Sequence, residues 1–167
     1  TPGVYFDEEN RRRLNLIKLS HAEVAQGLIS AGRKADARHV LEHYDQNIDP
    51  GNFPYGITSN QGNWNNQISA YFLDDCYAAD DDALAAKVAA SLKKDLQQQM
   101  RYYQSLGEAM TDEQLAINAQ QALQGKTNNL SDRQQAFAND ILSSYQLLLH
   151  LAELANAHPS PIQKRID

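Results

Sequence analysis

No proline occurs between Pro54 and Pro159. Proline lacks a backbone N–H and clashes with the preceding turn, so helix interiors exclude it. That long uninterrupted stretch is open to helix, and the chain is built for it. It holds 22 Ala and 19 Leu, both strong helix formers, while strand-favouring Val, Ile and Thr are scarce. The expected class is all-α. At 167 residues the chain has the size of one domain, large enough to bury about 70% of its unfolded surface without a disulfide or metal staple.

Charge narrows the function classes. The net charge is −6, which argues against a nucleic-acid face. The one basic run, Arg11-Arg12-Arg13, follows Asp7, Glu8 and Glu9, an order that suits local ion pairs in a helix's first turns. No apolar run is long enough to span a membrane. The start, Thr1-Pro2-Gly3-Val4-Tyr5, has neither an initiator Met nor a signal-peptide pattern, and the chain is expected to be a piece of something longer. Asn and Gln together number 29, so a largely uncharged polar surface is expected.

Periodicity places about six helices. Leu14, Ile17, His21, Val24, Ala25, Leu28 and Ile29 recur at three- and four-residue steps and mark the inner stripe of a first helix, from about Asp7 to Gly32. Ala37, Val40, Leu41, Tyr44 and Ile48 line a second, ending before Asp49-Pro50. A Gly-, Pro- and Asn-rich loop follows to about Gly62, with Phe53 and Tyr55 expected to anchor against a helix. A third helix runs from about Asn63 to Ala79, with Trp64, Ile68, Tyr71, Phe72 and Cys76 inward. A fourth, from Asp82 to about Tyr103, carries Leu84, Val88, Leu92, Leu96 and Tyr103. Thr111 with Gln114, and Ser131 with Gln134, are capping-box signals for two more. The fifth reaches about Leu123. The last ends before Pro159 and is apolar enough on all sides to be sandwiched. Residues 1–158 are expected to form one domain and 159–167 a flexible tail.

The chain also echoes itself. Residues 31–37, AGRKADA, align with 79–85, ADDDALA, at an offset of 48; Val40 then meets Val88 and Val24 meets Phe72. Each copy reads as helix, tight turn, helix. Such units resemble tetratricopeptide repeats, whose period is about 34 residues, with the extra length in the loop near Pro50. The expected architecture is antiparallel helix pairs stacked in a tetratricopeptide-like right-handed superhelix.

Few residues suggest chemistry. His39 and His43 have metal-ligand spacing but no evident third ligand, and histidines late in a helix are ordinary dipole partners. Asp80, Asp81 and Asp82 lack the alternating pattern of a calcium loop and read as a helix cap. With Asp74 and Asp75 they leave paired-carboxylate chemistry open, though nothing singles out two of them. Cys76, on an apolar face beside acidic neighbours, reads as core. No metal or cofactor site is expected. The remaining candidates are aromatic: Tyr55, Trp64, Tyr71, Tyr102 and Tyr103 either line a groove between helix pairs or fill the core.

Three segments carry a family resemblance: Val4-Tyr5-Phe6-Asp7-Glu8-Glu9 with the run from His21 to Ala37, then Phe53-Pro54-Tyr55-Gly56, and Leu96 to Leu106 with Tyr102-Tyr103. Over residues 4–155 the chain resembles the C-terminal soluble region of large multi-pass membrane proteins of Bacteroidota, related to protein O-mannosyltransferase-like glycosyltransferases. The resemblance implies a non-catalytic, tetratricopeptide-type accessory domain on the periplasmic side of a membrane-anchored parent. Its partners would be the parent's membrane portion and a protein or glycan acceptor, and no catalytic residue of the family maps onto this chain. A structural or dimerising tail, and a small stand-alone enzyme, are the competing readings. At Asp80 the sequence departs from the glycine of the first copy, Gly32.

Overall fold

The computed structural model describes residues 8–58, 62–105 and 132–158. They form five helices and no sheet: α1 (Glu8–Ser30), α2 (Lys34–Asn47), α3 (Trp64–Ala78), α4 (Asp82–Ser105) and α5 (Asp132–Ala157). The boundaries fall close to those expected from periodicity and caps. The helix expected over Thr111–Leu123, the Ser131/Gln134 start signal and the tail from Pro159 lie outside the described residues.

Each helix packs on its neighbours in sequence or the next but one. α1 lies against α2 and α3, α3 against α2, α4 and α5, and α4 against α5. α3 is the central element, and nine of its residues are buried. The core that it organises contains Leu41, Tyr44, Tyr55, Phe72, Leu73, Cys76, Leu84, Val88 and Leu92. Tyr44, Tyr55 and Phe72 form a triangle of tilted rings with centroids 5.3–6.1 Å apart, each pair worth about 0.5–1.5 kcal/mol beyond its buried area.

The 48-residue echo is structural. At the end of α1, Gly32 N–H donates to Ile29 O (2.9 Å) and Arg33 N–H to Leu28 O (2.8 Å). At the end of α3, Asp80 N–H donates to Tyr77 O (3.0 Å) and Asp81 N–H to Cys76 O (2.9 Å). Every donor and acceptor is displaced by 48, and both ends are Schellman-type closures. Gly32 and Asp80 both take left-handed backbone, at φ 75° and 59°. The buried positions repeat too: Asn15, Lys18, Ala22 and Ala25 in α1 match Asn63, Asn66, Ala70 and Leu73 around α3. Arg38 joins the two units by donating from Nη2 to the carbonyls of Ala79 and Asp80, orphan acceptors at the end of α3. Asp81 caps α4 through Oδ1, which accepts from Leu84 N–H at 3.1 Å.

The inner face of α1 departs from expectation. Its buried residues are Asn15, Lys18, Ala22 and Ala25, whereas Leu16, Ile17 and Val24 are exposed, Val24 by 54%. Only Ala25 of the expected stripe is fully inside; His21, Leu28 and Ile29 are half-buried. The helix is rotated because α3 offers polar partners, Asn65 and Ser69, to Lys18. Nor is α5 sandwiched: Tyr145 and Leu149 are exposed, while Leu147, Leu151 and Leu154 rest on the core.

The loop between α2 and α3 is fastened at several points. Asp49 folds it back by accepting from Gly51 N–H (2.9 Å) and Asn52 Nδ2 (3.0 Å) through its carboxylate, an Asx-type turn. Phe53 and Tyr55 are thereby buried, as expected of anchors. Gly56 lies flat against α4, its N–H donating to Ser91 Oγ at 2.9 Å. A Cβ there would collide with the Ser91 backbone carbonyl.

Candidate functional site

The loop, once fixed, presses a polar layer between α1, α3, α4 and α5. Lys18 is its most unusual member. It is fully buried, yet among the described residues no carboxylate pairs with it. Its Nζ donates to Asn65 Oδ1 and Ser69 Oγ, both at 2.8 Å, and lies 4.8 Å from the Phe53 ring centroid and 5.6 Å from that of Tyr55. Asn65 Nδ2 and Ser69 Oγ each donate in turn to Tyr55 O at 2.8 Å. Burial away from water disfavours the ammonium and lowers the Lys18 pKa to about 7.

A second network adjoins it. Asn63, at the cap of α3, donates from Nδ2 to Ser143 Oγ (2.6 Å) and Ser144 Oγ (2.7 Å) on α5. Asn66 Nδ2 donates to Asn63 Oδ1 (3.0 Å) and to Asp95 Oδ2 (2.9 Å) on α4. Thr58 Oγ1 meets the same Asp95 oxygen at 2.8 Å. Ser144 Oγ donates to Gln99 Oε1 at 3.0 Å, and Gln99 Nε2 to the Tyr103 hydroxyl at 2.9 Å. Such a linked layer fixes its members more firmly than isolated pairs would.

This layer floors a cavity of about 650 Å³ lined by Arg12 from α1, Gly62, Asn63, Trp64 and Gln67 at the start of α3, and Asn139, Asp140 and Ser143 on α5. Trp64 and Gln67 share a helix face at i, i+3, as Asn139 and Ser143 do at i, i+4. Burial raises the Asp140 pKa above its ordinary value, partly offset by a hydrogen bond from Tyr103. Trp64 and Arg12 also line a narrow cleft with Asn15, Phe53, Ile57 and Asn65. Asn15 Oδ1 is buried there and accepts no hydrogen bond among the described residues.

The five candidate aromatics are dispersed. Trp64 lines the cavity. Tyr55 is in the core, its hydroxyl donating to Asp45 Oδ1 at 3.0 Å. Tyr103 is buried in the floor and Tyr102 is exposed beside it, with ring centroids 5.8 Å apart. Tyr71 is half-buried among Glu23, Asp74 and Asp75, which with burial raise its pKa. The polar residues around Trp64, above all Asn63, Gln67, Asn139 and Asp140, escaped sequence reading. Their signal was present in the surplus of Asn and Gln.

The other reactive groups face elsewhere. Cys76 is fully buried, its thiol pushed up by burial and then by Asp81, Asp75 and Asp45. His43 stacks at 6.1 Å on His21, and among the described residues no three His, Cys, Asp or Glu side chains converge. No described helix is long and apolar enough to cross a membrane. Scans against protein-family models, curated proteins and solved structures return no match.

Proposed function

We propose that this chain is a non-catalytic accessory module that holds a protein or glycan acceptor for a membrane-anchored, glycosyltransferase-like parent on the periplasmic side. Its two helix–turn–helix units form the start of a tetratricopeptide-like superhelix, which the last helix, α5, closes as a cap. The observation that carries the reading is the cavity beside Trp64. It is open, floored by side chains already tied to one another, and lined by amide, hydroxyl, carboxylate and guanidinium groups that can hold a ligand. Its size is within the range of about 300–1,000 Å³ usual for ligand sites. Lys18, Cys76 and Tyr55, whose pKa values are strongly displaced, are enclosed in packed protein and do not line it. The test is deletion of residues 8–157 from the parent. Transfer to small acceptors should persist while transfer to protein acceptors is lost; unchanged transfer to both overturns the proposal.

One observation favours a second reading, a tail that dimerises or braces the parent. Leu16, Ile17 and Val24 form an exposed apolar stripe along α1, and such stripes mark contact surfaces when they are contiguous. Sedimentation of the wild-type chain and of Ile17→Glu decides it: a dimer that the variant abolishes supports the tail, and a monomer in both removes it.

A further inference from the structure

We propose that the cavity beside Trp64 is a saccharide subsite taking a neutral sugar residue. The inference rests on the acceptor-holding reading above and specifies the ligand class of that same site.

The lining has three properties that together select such a ligand. It offers one large aromatic surface, the indole of Trp64, to which a pyranose can apply its C–H face. Beside Gly62, Asn63 and the Ser143 hydroxyl, the lining holds four planar, bidentate groups: the Asn139 and Gln67 amides, the Asp140 carboxylate and the Arg12 guanidinium. Amides both donate and accept, the carboxylate accepts and the guanidinium donates, so adjacent hydroxyls, each a donor and an acceptor, can be matched in pairs. Finally, the lining carries one cation, Arg12, and one acid, Asp140. A phosphate or sulfate would meet Asp140, and a purely apolar ligand would strand the polar groups at a cost of about 1–3 kcal/mol each.

Asn15 supplies an independent sign. Its Oδ1 is buried in a narrow cleft that Trp64 and Arg12 also line, without a hydrogen-bond donor among the described residues. An acceptor left so is costly, and the cleft, at about 10 Å³, has room for one water at most. Cavity and cleft share Trp64 and Arg12, so this unmatched acceptor belongs to the same wall as the indole.

Trp64 is the chain's single tryptophan, so intrinsic fluorescence reads the cavity directly. The chain is titrated with neutral oligosaccharides ending in mannose, glucose, galactose or N-acetylglucosamine, with calorimetry in parallel. At least one should give a saturable emission change. Trp64→Ala, followed by calorimetry, should weaken that ligand roughly tenfold or more, and Trp64→Phe less. Asn139→Ala, at an exposed position, should weaken it while leaving the circular dichroism unchanged. Flat titrations with every sugar overturn the inference, as does tighter binding of a phosphorylated or sulfated sugar. If the sugars fail while the chain still captures an unglycosylated acceptor polypeptide, the saccharide inference falls and the acceptor-holding reading stands. If deletion from the parent changes nothing but the sugars bind, the reverse holds.

Discussion

Gly32 and Asp80 occupy the same left-handed backbone position in two units 48 residues apart. Glycine suits that conformation and aspartate tolerates it at a cost of about 1 kcal/mol. Asp80 keeps one compensation, the 3.0 Å ion pair with Lys34 that joins the units, but both partners are more than half exposed, and such pairs contribute little.

Asp80→Gly should therefore stabilise the chain by about 0.5–1 kcal/mol, read as a higher denaturant midpoint. Gly32→Ala should destabilise by about 1 kcal/mol. A loss of stability in Asp80→Gly would mean that the Lys34 pair outweighs backbone strain.

Stability should show a minimum near neutral pH. Lys18 titrates near 7 when folded and near 10.5 when unfolded. The unfolded chain then binds more protons between those values, so stability rises with pH across that window. Asp75 behaves oppositely. Burial, then Asp74, raises its pKa to about 7 from 3.8, so the folded state binds more protons and stability falls as pH rises from about 4 to 7. Denaturant melts from pH 4 to 10 should trace both limbs. Lys18→Met should flatten the upper limb, while stranding Asn65 Oδ1 at a cost of about 1–3 kcal/mol. Asp75→Asn should flatten the lower.

The Tyr44 hydroxyl is buried and has no hydrogen-bond partner among the described residues. Tyr44→Phe keeps the ring tilted against Tyr55 and Phe72 and removes the stranded group. It should be neutral or stabilising by about 1 kcal/mol in thermal melts.

Gly56 fixes how closely the loop approaches α4. The Cβ of Gly56→Ala would meet the Ser91 carbonyl and lie 2.9 Å from Asp95 Cβ. The loop must lift, which loosens Thr58 from Asp95 and Ile57 N–H from Asn66. The expected loss is about 1–3 kcal/mol, with faster amide exchange at Ile57.

The helices were legible because apolar residues at Leu84, Val88, Leu92 and Leu96 keep helical period and all turn inward. The repeat was legible because its turn residues keep their spacing even where Asp80 replaces glycine. The orientation of α1 was not, because periodicity counts apolar residues and the inward positions here include Asn15 and Lys18. The surplus of Asn and Gln suggested a neutral surface, yet Asn15, Asn63, Asn65, Asn66 and Gln99 are inside. What draws Asn63, Asn65, Asn66 and Gln99 in is hydrogen bonding across the fold, to residues as far away as Ser144, a pairing that no local pattern encodes. Trp64 was a candidate on its residue type alone, but its neighbours on α5 come from 75 or more residues along the chain.

The central claim, that the cavity beside Trp64 holds an acceptor, is tested most directly by amide and indole chemical shifts. An isotope-labelled chain is titrated with a glycosylated acceptor peptide. The account predicts saturable shifts centred on the Trp64 indole N–H, the side-chain amides of Gln67 and Asn139, and the Ser143 backbone. Shifts confined to the Leu16, Ile17 and Val24 face of α1, or none at millimolar peptide, would contradict it.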